Sequence, residues 1–208
     1  MAFIEKLKHR LTKPLPGLEA QSLMFPGKSR ALPNQQQLQG ARQAAICVLL
    51  FLKKDKWHTT LIQRVDYKGV HGGQMAFPGG KKELDESFIE TALRETEEEI
   101  GVTIDENQVL GKLSPVYIPP SNMYVEPILA SIGYIPKYIL QEREVAKVVE
   151  LELSTLLDDD IRKVKTITHT SGHTLKTPYF DVLGHMVWGA TAVMLSELAV
   201  IIEDVYKQ

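Results

Sequence analysis

Three glutamates, Glu95, Glu98 and Glu99, are the residues whose type and spacing most directly suggest chemistry. At positions i, i+3 and i+4 of a helix, their carboxylates gather on one side and repel one another. Partial burial raises that cost, whereas a hard divalent cation that takes oxygen ligands, such as magnesium, removes it. The pattern therefore indicates either a metal site or a solvated acidic helix face. From these three residues alone, the solvated face is favoured.

A helix from Ser87 to Ile100 is predicted to carry these glutamates. Ser87 and Glu90 have the spacing of an N-terminal capping box, and Gly101 is a typical helix terminator. At about 100° per residue, one broad apolar arc contains Phe88, Ile89, Ala92, Leu93, Thr96 and Ile100. Glu90 and Glu97 fall opposite this arc, where solvent is expected. The last of the three gathered glutamates falls instead at the edge of the arc.

The residues around the helix favour the metal site. The segment reads Gly80-x5-Glu86-x7-Arg94-Glu95-Thr96-x-Glu98-Glu99-x-Gly101-Val102. This pattern resembles the defining box of the Nudix hydrolases at every fixed position. One soft departure is Thr96, which stands where the family usually has an aliphatic residue, and this change should not affect metal binding.

The resemblance implies a loop–helix–loop metal site. Glu95, Glu98 and Glu99 match the positions that bind Mg²⁺ or Mn²⁺. Arg94 and Glu86 match the pair that locks the loop and orients the glutamates. Arg94 also precedes Glu98 by four residues, a spacing that suits such an orienting contact.

The same resemblance implies a reaction and a backbone requirement. Water attacks a phosphorus of a diphosphate bridge in a nucleoside-diphosphate-type substrate, while metal ions screen charge and activate the water. Glu98 is the first choice for helping to deprotonate that water, although the family varies in its base. Gly80 and Gly101 are expected to allow tight turns of the loop.

A second resemblance lies just before the box. The segment Gln63-Arg64-x6-His71-x-Gly73-Gln74-x2-Phe77-Pro78-Gly79-Gly80 is similar to one that accompanies the box in the coenzyme A diphosphatases of this family. The C-terminal run Trp188-Gly-Ala-Thr-Ala resembles the last helix of the same subgroup. Two positions depart from the pattern, with Val65 in place of a small residue and Gly69 in place of an arginine.

This second resemblance implies a set of substrate-binding residues, namely Arg64, Lys68, His71, Gly79 and Gly80. Lys68 adjoins the departing glycine and could supply the missing positive charge. The alternatives are a structural loop histidine at His71 and an ordinary strand-edge arginine at Arg64. Glu144 could add a metal ligand or base from a downstream segment, but a solvated glutamate is the favoured interpretation there.

Three functions follow from these patterns. The first is a diphosphatase acting on coenzyme A or an acyl-CoA. The second is a Nudix diphosphatase acting on ADP-ribose, a dinucleotide or a nucleoside triphosphate. The third is a non-catalytic Nudix-like ligand-sensing domain, which is disfavoured because the box is intact and no helix-turn-helix candidate is apparent.

Residues 44–208 are predicted to form the catalytic domain, an α/β fold with the α/β/α sandwich and mixed β-sheet of Nudix proteins. Ala44 to Leu52 is an aliphatic run typical of a central strand buried on both faces, and Trp57 to Arg64 returns as a second strand. Val70 to Gly80 is too rich in glycine for a regular element. The remaining predicted elements are strands at Val109–Ile118, Val125–Ile135, Val145–Leu153, Val164–His169 and Thr174–Phe180, and a helix at Trp188–Tyr206.

Residues 1–43 are predicted to be an N-terminal extension, with a short amphipathic helix from Ala2 to Leu11 and an irregular polar segment from Pro26 to Gly40. The net charge of −2 gives no basic field for nucleic acid. Cys47 is the single cysteine and is expected to be buried. No targeting or membrane-spanning segment is apparent. We therefore expect a cytoplasmic protein with a small-molecule diphosphate substrate and no nucleic-acid or membrane partner, and a homodimer is compatible with the sequence.

Overall fold

Alternating apolar residues of one long strand place the hydrophobic core on both faces of a central sheet. The computed structural model describes residues 2–27, 35–65, 73–168 and 174–207. Its first strand, β1, spans Arg42–Lys53. Val48 and Leu50 face one core cluster, whereas Cys47 and Leu49 face a second. The prediction of a central strand buried on both faces is confirmed.

The other strands are β2 Lys56–Arg64, β3 Met75–Ala76, β4 Gly79–Lys81, β5 Val109–Lys112, β6 Val116–Ile118, β7 Met123–Ser131, β8 Val145–Glu152, β9 Arg162–Thr168, β10 Thr174–Val182 and β11 His185–Trp188. The α-helices are α1 Ala2–Leu11, α2 Leu18–Gln21, α3 Gln35–Gln39, α4 Phe88–Ile100 and α5 Gly189–Lys207. Short 3-10 helices occupy Ser22–Met24, Glu106–Gln108, Pro119–Ser121, Leu153–Leu157 and Asp159–Ile161.

Among the described residues, eight strands form the main sheet, which contains the path β3-β2-β1-β7-β5, with β4 on β1, β6 on β7 and β8 on β2. Strands β1 and β7 run parallel, and β1 pairs antiparallel with β2 and β4. Helix α5 packs on one face of this mixed sheet and α4 on the other. The predicted α/β sandwich is therefore confirmed.

The described part of the N-terminal segment packs against the rest of the fold. Leu7 of α1 is fully buried in the core that α5 covers. Arg10 donates a hydrogen bond to Asp204 at 2.7 Å, and Phe3 stacks on Trp57 with 4.9 Å between ring centroids. The helix predicted from Ala2 to Leu11 has those bounds, whereas the division of the chain at residue 43 stays a prediction.

Four features differ from the sequence expectations. The run Val109–Ile118 is two strands, since β5 ends at Lys112 and β6 begins at Val116. The glycine-rich segment contains β3 and the start of β4, which pair with β2 and β1. The polar segment from Pro26 to Gly40 includes the short helix α3. Strands β9 and β10 form a sheet with β11, and neither β11 nor the separation of this sheet from the main one was predicted, since the sequence does not show which sheet a strand joins.

Candidate active site

Helix α4 begins and ends at the predicted residues. The Ser87 side chain accepts a hydrogen bond from the Glu90 amide, and the Glu90 side chain accepts one from the Ser87 amide, which completes the capping box. Gly101 ends the helix in the left-handed conformation with a φ of 69°. A Cβ atom at Gly101 would lie 2.7 Å from the Cβ of Ile139. Both the backbone angle and this close approach therefore require glycine.

Arg94 ties the loop before α4 to the helix. Its Nε and Nη2 donate to the two oxygens of Glu86 at 2.5 and 3.1 Å, and Nη2 also donates to the carbonyl of Lys81 at 3.2 Å. The same Glu86 carboxylate accepts the hydroxyl of Thr91 at 2.8 Å. The hydrogen bond from Arg94 is the main reason that the pKa of Glu86 falls to about 2. This carboxylate is therefore charged and fixed at neutral pH.

Arg94 also contacts two of the three gathered glutamates. Its Nη1 lies 3.0 Å from Glu95 Oε1 and 3.0 Å from Glu98 Oε2. The Glu98 side chain is 58% exposed, whereas that of Glu95 is 16% exposed. Burial raises the pKa of Glu95, although Arg94 lowers it. The two carboxylates therefore share one cation but differ strongly in their access to solvent.

The glycines of β4 allow the strand to lie against the glutamates. A Cβ atom at Gly80 would collide with the carboxylate of Glu95. Gly80 does not have a positive φ, unlike Gly79 with 149°. The expectation that Gly80 serves a tight turn is therefore wrong, because its missing side chain makes room for a carboxylate. At Gly79, a Cβ atom would collide with the backbone of Ala45.

Glu99 is the buried member of the three glutamates, with 2% of its side chain exposed. Its Oε2 accepts the Gly79 amide at 2.9 Å, and its Oε1 accepts Arg64 Nη1 at 3.3 Å. Burial raises the pKa of Glu99 to about 7, although the Gly79 hydrogen bond and the Arg64 charge oppose this shift. Strand β4, the end of β2 and helix α4 therefore meet at this one carboxylate.

The end of β2 also brings Arg64 close to Glu144. The β2–β8 register shifts between Gln63 and Arg64, and such irregularities re-aim side chains near functional sites. Arg64 Nη2 lies 3.9 Å from Glu144 Oε2, and the Glu144 carbonyl accepts the Val65 amide at 2.9 Å. Glu144, for which a solvated glutamate was the favoured interpretation, is 53% exposed but adjoins the site.

The donor set suits a hard divalent cation. Within the described residues, no three acidic, histidine or cysteine side chains are arranged closely enough to hold a metal ion as they stand. Arg94 holds Glu95 and Glu98 towards itself. The chemistry nevertheless fits, because burial raises the pKa of both Glu95 and Glu99 and repulsion from neighbouring glutamates raises it further. Carboxylate oxygens are the preferred ligands of Mg²⁺, and a cation would remove this electrostatic cost.

Two expected substrate-binding residues, Lys68 and His71, lie outside the described residues. Arg64, Gly79 and Gly80 do lie beside the glutamates. Sequence reasoning missed Thr91, whose buried hydroxyl holds Glu86. Its position on the inner helix face, five residues after Glu86, was the available signal. The proximity of Glu144 to Arg64 had no such signal, since the two are far apart in sequence.

A protein-family comparison agrees with this geometry. The model of the NUDIX domain matches residues 41–166, which include β1, β2, the glycine-rich segment and α4. The chain belongs to the Nudix family. It is a Nudix hydrolase, and members of this family act on small-molecule diphosphate compounds and generally need a divalent metal ion.

Two relatives in this family differ in how much of the chain they match. The human mitochondrial coenzyme A diphosphatase NUDT8 is 40% identical over 132 residues, which cover 61% of this chain and 54% of that protein. The match thus spans about half the length of the human relative. The Nudix hydrolase NudL of Yersinia pestis is 29% identical over 180 residues, which cover 85% of this chain and 88% of the relative.

Solved structures show the same fold. A MutT/nudix family protein from Enterococcus faecalis has a TM-score of 0.52 and 21% identity, covering 86% of this chain and 66% of that one. A MutT protein from Methanosarcina mazei has a TM-score of 0.52 and 16% identity, covering 81% of this chain and 96% of that one. No described helix of the present chain has the length and hydropathy of a membrane span.

Proposed function

We propose that this Nudix hydrolase cleaves the diphosphate linkage of coenzyme A or an acyl-CoA, with Mg²⁺ or Mn²⁺ held by Glu95, Glu98 and Glu99. The observation that carries the substrate assignment is the 40% identity to a coenzyme A diphosphatase. The segment that resembles this subgroup also contacts the glutamates, through Arg64 and the Gly79 amide on Glu99. Residues beyond the family box therefore adjoin the place where a diphosphate would bind.

The three glutamates have different roles in this proposal because their environments differ. Glu99 is buried, and the Gly79 amide holds its Oε2, which makes it a fixed ligand. Glu98 is 58% exposed, so it can turn towards a water molecule and assist its deprotonation. The bound divalent ion would screen the phosphate charge and stabilise the leaving oxygen.

Arg94 and Glu86 act as positioning residues. Arg94 is bonded to the loop before α4 and to the helix glutamates at once, so it fixes the distance between β4 and α4. The roles predicted for Lys68 and His71 stay predictions, as do a homodimer and a cytoplasmic location. The human relative, by its name, is mitochondrial.

A substrate panel tests the assignment. The purified protein is incubated with Mg²⁺ and coenzyme A, acetyl-CoA, ADP-ribose or NADH, and products are separated by liquid chromatography with mass spectrometry. We expect coenzyme A or its thioester to have the highest kcat/KM and to yield adenosine bisphosphate and a phosphopantetheine. Hydrolysis in ¹⁸O-labelled water then identifies the attacked phosphorus. A kcat/KM for ADP-ribose far above that for coenzyme A would refute the substrate assignment but not the family.

A second comparison tests which phosphate the enzyme recognises. Coenzyme A carries a 3′-phosphate that dephospho-coenzyme A lacks, while the diphosphate is the same. If cationic residues beyond the metal site bind that group, KM should be higher for dephospho-coenzyme A, since one charged contact contributes on the order of 1.5–3 kcal/mol. Lys68→Ala should raise KM for coenzyme A and reduce the difference between the two compounds if Lys68 holds the 3′-phosphate.

A further inference from the structure

Arg64 stands where the sequence predicts a substrate contact, yet its guanidinium is already engaged. Nη1 lies 3.3 Å from Glu99 and Nη2 lies 3.9 Å from Glu144. Arg64 lies two residues after Ile62, whose side chain packs in the core on the α4 face, so the alternation of the strand places the guanidinium on that face. The arginine therefore partners a residue that the proposed function makes a metal ligand.

These two roles of Glu99 conflict electrostatically. A guanidinium and a divalent cation repel each other when both lie against one carboxylate. Water screens this repulsion poorly here, because the Glu99 side chain is only 2% exposed. Its second oxygen is held by the Gly79 amide, which is neutral and does not compete with a cation. At Glu99, the repulsion therefore lies between Arg64 and the ion.

Arg64 has fewer contacts than Arg94, and its guanidinium can therefore move away from Glu99. Arg94 also contacts the proposed ligands Glu95 and Glu98, but it is held in place away from them. It binds Glu86, which is not a proposed ligand, through two nitrogens, and it bonds to the Lys81 carbonyl. Arg64 makes one hydrogen bond of 3.3 Å to Glu99 and one longer ion pair. Its side chain is 26% exposed, so it can reach a ligand at the mouth of the site.

We propose that Arg64 is an exchangeable cation. It pairs with Glu99 and Glu144 in the metal-free enzyme, and it moves to the diphosphate of the substrate once a divalent ion binds Glu99. A planar guanidinium can pair with phosphate oxygens as it does with carboxylates. Metal binding and diphosphate binding are then coupled, and each strengthens the other by the same factor. The proposal rests on the metal site of the proposed function.

Magnesium affinity without substrate tests the exchange. Titration calorimetry with Mg²⁺ is carried out at pH 9, above the pKa of about 7 of Glu99, so that proton competition is small. Arg64→Met removes the charge but keeps a long side chain, and we expect it to bind Mg²⁺ at least about threefold more tightly than the parent. Arg143→Met is the control, because Arg143 is exposed and adjoins Glu144. It should change the affinity by less than about twofold.

Two results of the Mg²⁺ titration would overturn the proposal. Weaker Mg²⁺ binding by Arg64→Met would show that Arg64 assembles the metal site, and unchanged binding would show that it does not compete with the ion. Arg64→Lys keeps the charge without the planar fork, and we expect its Mg²⁺ affinity to stay close to that of the parent. Thermal melting of each variant establishes that it is folded before titration.

The proposed contact of Arg64 with the diphosphate is tested by a separate measurement. With saturating Mg²⁺, Arg64→Met should raise KM for the best diphosphate substrate about tenfold or more, with a smaller change in kcat. An unchanged KM would refute the move to the diphosphate. If the parent binds Mg²⁺ but does not cleave coenzyme A, the substrate assignment fails. The change in Mg²⁺ affinity on Arg64→Met still tests whether Arg64 competes with the ion. Absence of Mg²⁺ binding by the parent would refute both.

Discussion

Replacing Glu99 with glutamine should stabilise the metal-free protein at alkaline pH and abolish most of its activity. The carboxylate is 2% exposed, and burial raises its pKa from 4.5 to about 7. One pKa unit corresponds to about 1.36 kcal/mol. The ionised carboxylate therefore destabilises the metal-free fold by about 3 kcal/mol relative to the neutral acid.

The sign of the pH dependence follows from the raised pKa. Folded Glu99 retains its proton up to about pH 7, whereas the unfolded chain releases it near pH 4.5. The stabilising contribution of the proton is thus complete below pH 4.5 and is lost as pH rises through 7. Glutamine stays neutral throughout, so its advantage should be largest above pH 8 and small near pH 4.5.

The expected gain in the free energy of unfolding is smaller than the figure of about 3 kcal/mol that follows from the pKa of Glu99. If the glutamine oxygen accepts the Gly79 amide, its NH₂ group faces the Arg64 guanidinium, so that two donors meet without an acceptor between them. A buried polar group without a hydrogen-bond partner costs about 1–3 kcal/mol. We therefore expect Glu99→Gln to raise the free energy of unfolding by about 1 to 2 kcal/mol at pH 8.5.

Urea denaturation in EDTA at pH 8.5 and pH 5 measures this effect. Glu97→Gln is the matched control, because Glu97 is exposed on the same helix. Its change should be within about 0.5 kcal/mol. Added Mg²⁺ should stabilise the parent and the control but not Glu99→Gln. A variant less stable than the parent in EDTA at pH 8.5 would show that the contacts with Gly79 and Arg64 outweigh the cost of burial.

Three further outcomes are expected. EDTA should abolish hydrolysis and Mg²⁺ or Mn²⁺ should restore it, whereas full turnover in verified metal-free protein would refute the metal site. Glu98→Gln should lower kcat by about 100-fold or more with little change in stability, while Glu97→Gln should retain activity. Equal kcat values would contradict the helical arrangement. Gly80→Ala should lower kcat more than the stability of the fold, because its Cβ would displace the carboxylate of Glu95. A crystal structure of Gly80→Ala with that carboxylate unmoved would contradict this reason.

Local sequence was sufficient for the elements whose stabilising contacts lie within a few residues. Helix α4 shows this most clearly, since Ser87, Glu90 and Gly101 are its cap residues in the structure as in the prediction. The 3.6-residue period likewise predicted that Glu97 is exposed, and it placed Glu99 at the edge of the apolar arc, where the structure buries it. Capping and helical periodicity depend on neighbours three or four positions apart, so they can be predicted before the fold is known.

The predicted metal site also came from sequence, but its electrostatics did not. The order of residues from Gly80 to Gly101 indicated the family and the three carboxylates. That Gly80 serves as space for Glu95, instead of as a turn, depends on how closely β4 approaches α4. The raised pKa of Glu99 depends on how deeply the sheet and the helix bury it. Burial and close approach are properties of packing between elements.

Only the tertiary structure decided the partners of Arg64. By sequence it was either a substrate contact or an ordinary strand-edge arginine, and its distance along the chain from Glu99 and Glu144 gave no indication of a contact. The irregular pairing of β2 with β8 and the packing of α4 on the sheet bring these three residues together. Strand register and sheet order depend on the whole chain, because each strand stabilises the positions of the others. The sequence thus determined which carboxylates could bind a metal ion. The tertiary contacts decided which arginine lies against each carboxylate when no metal ion is bound.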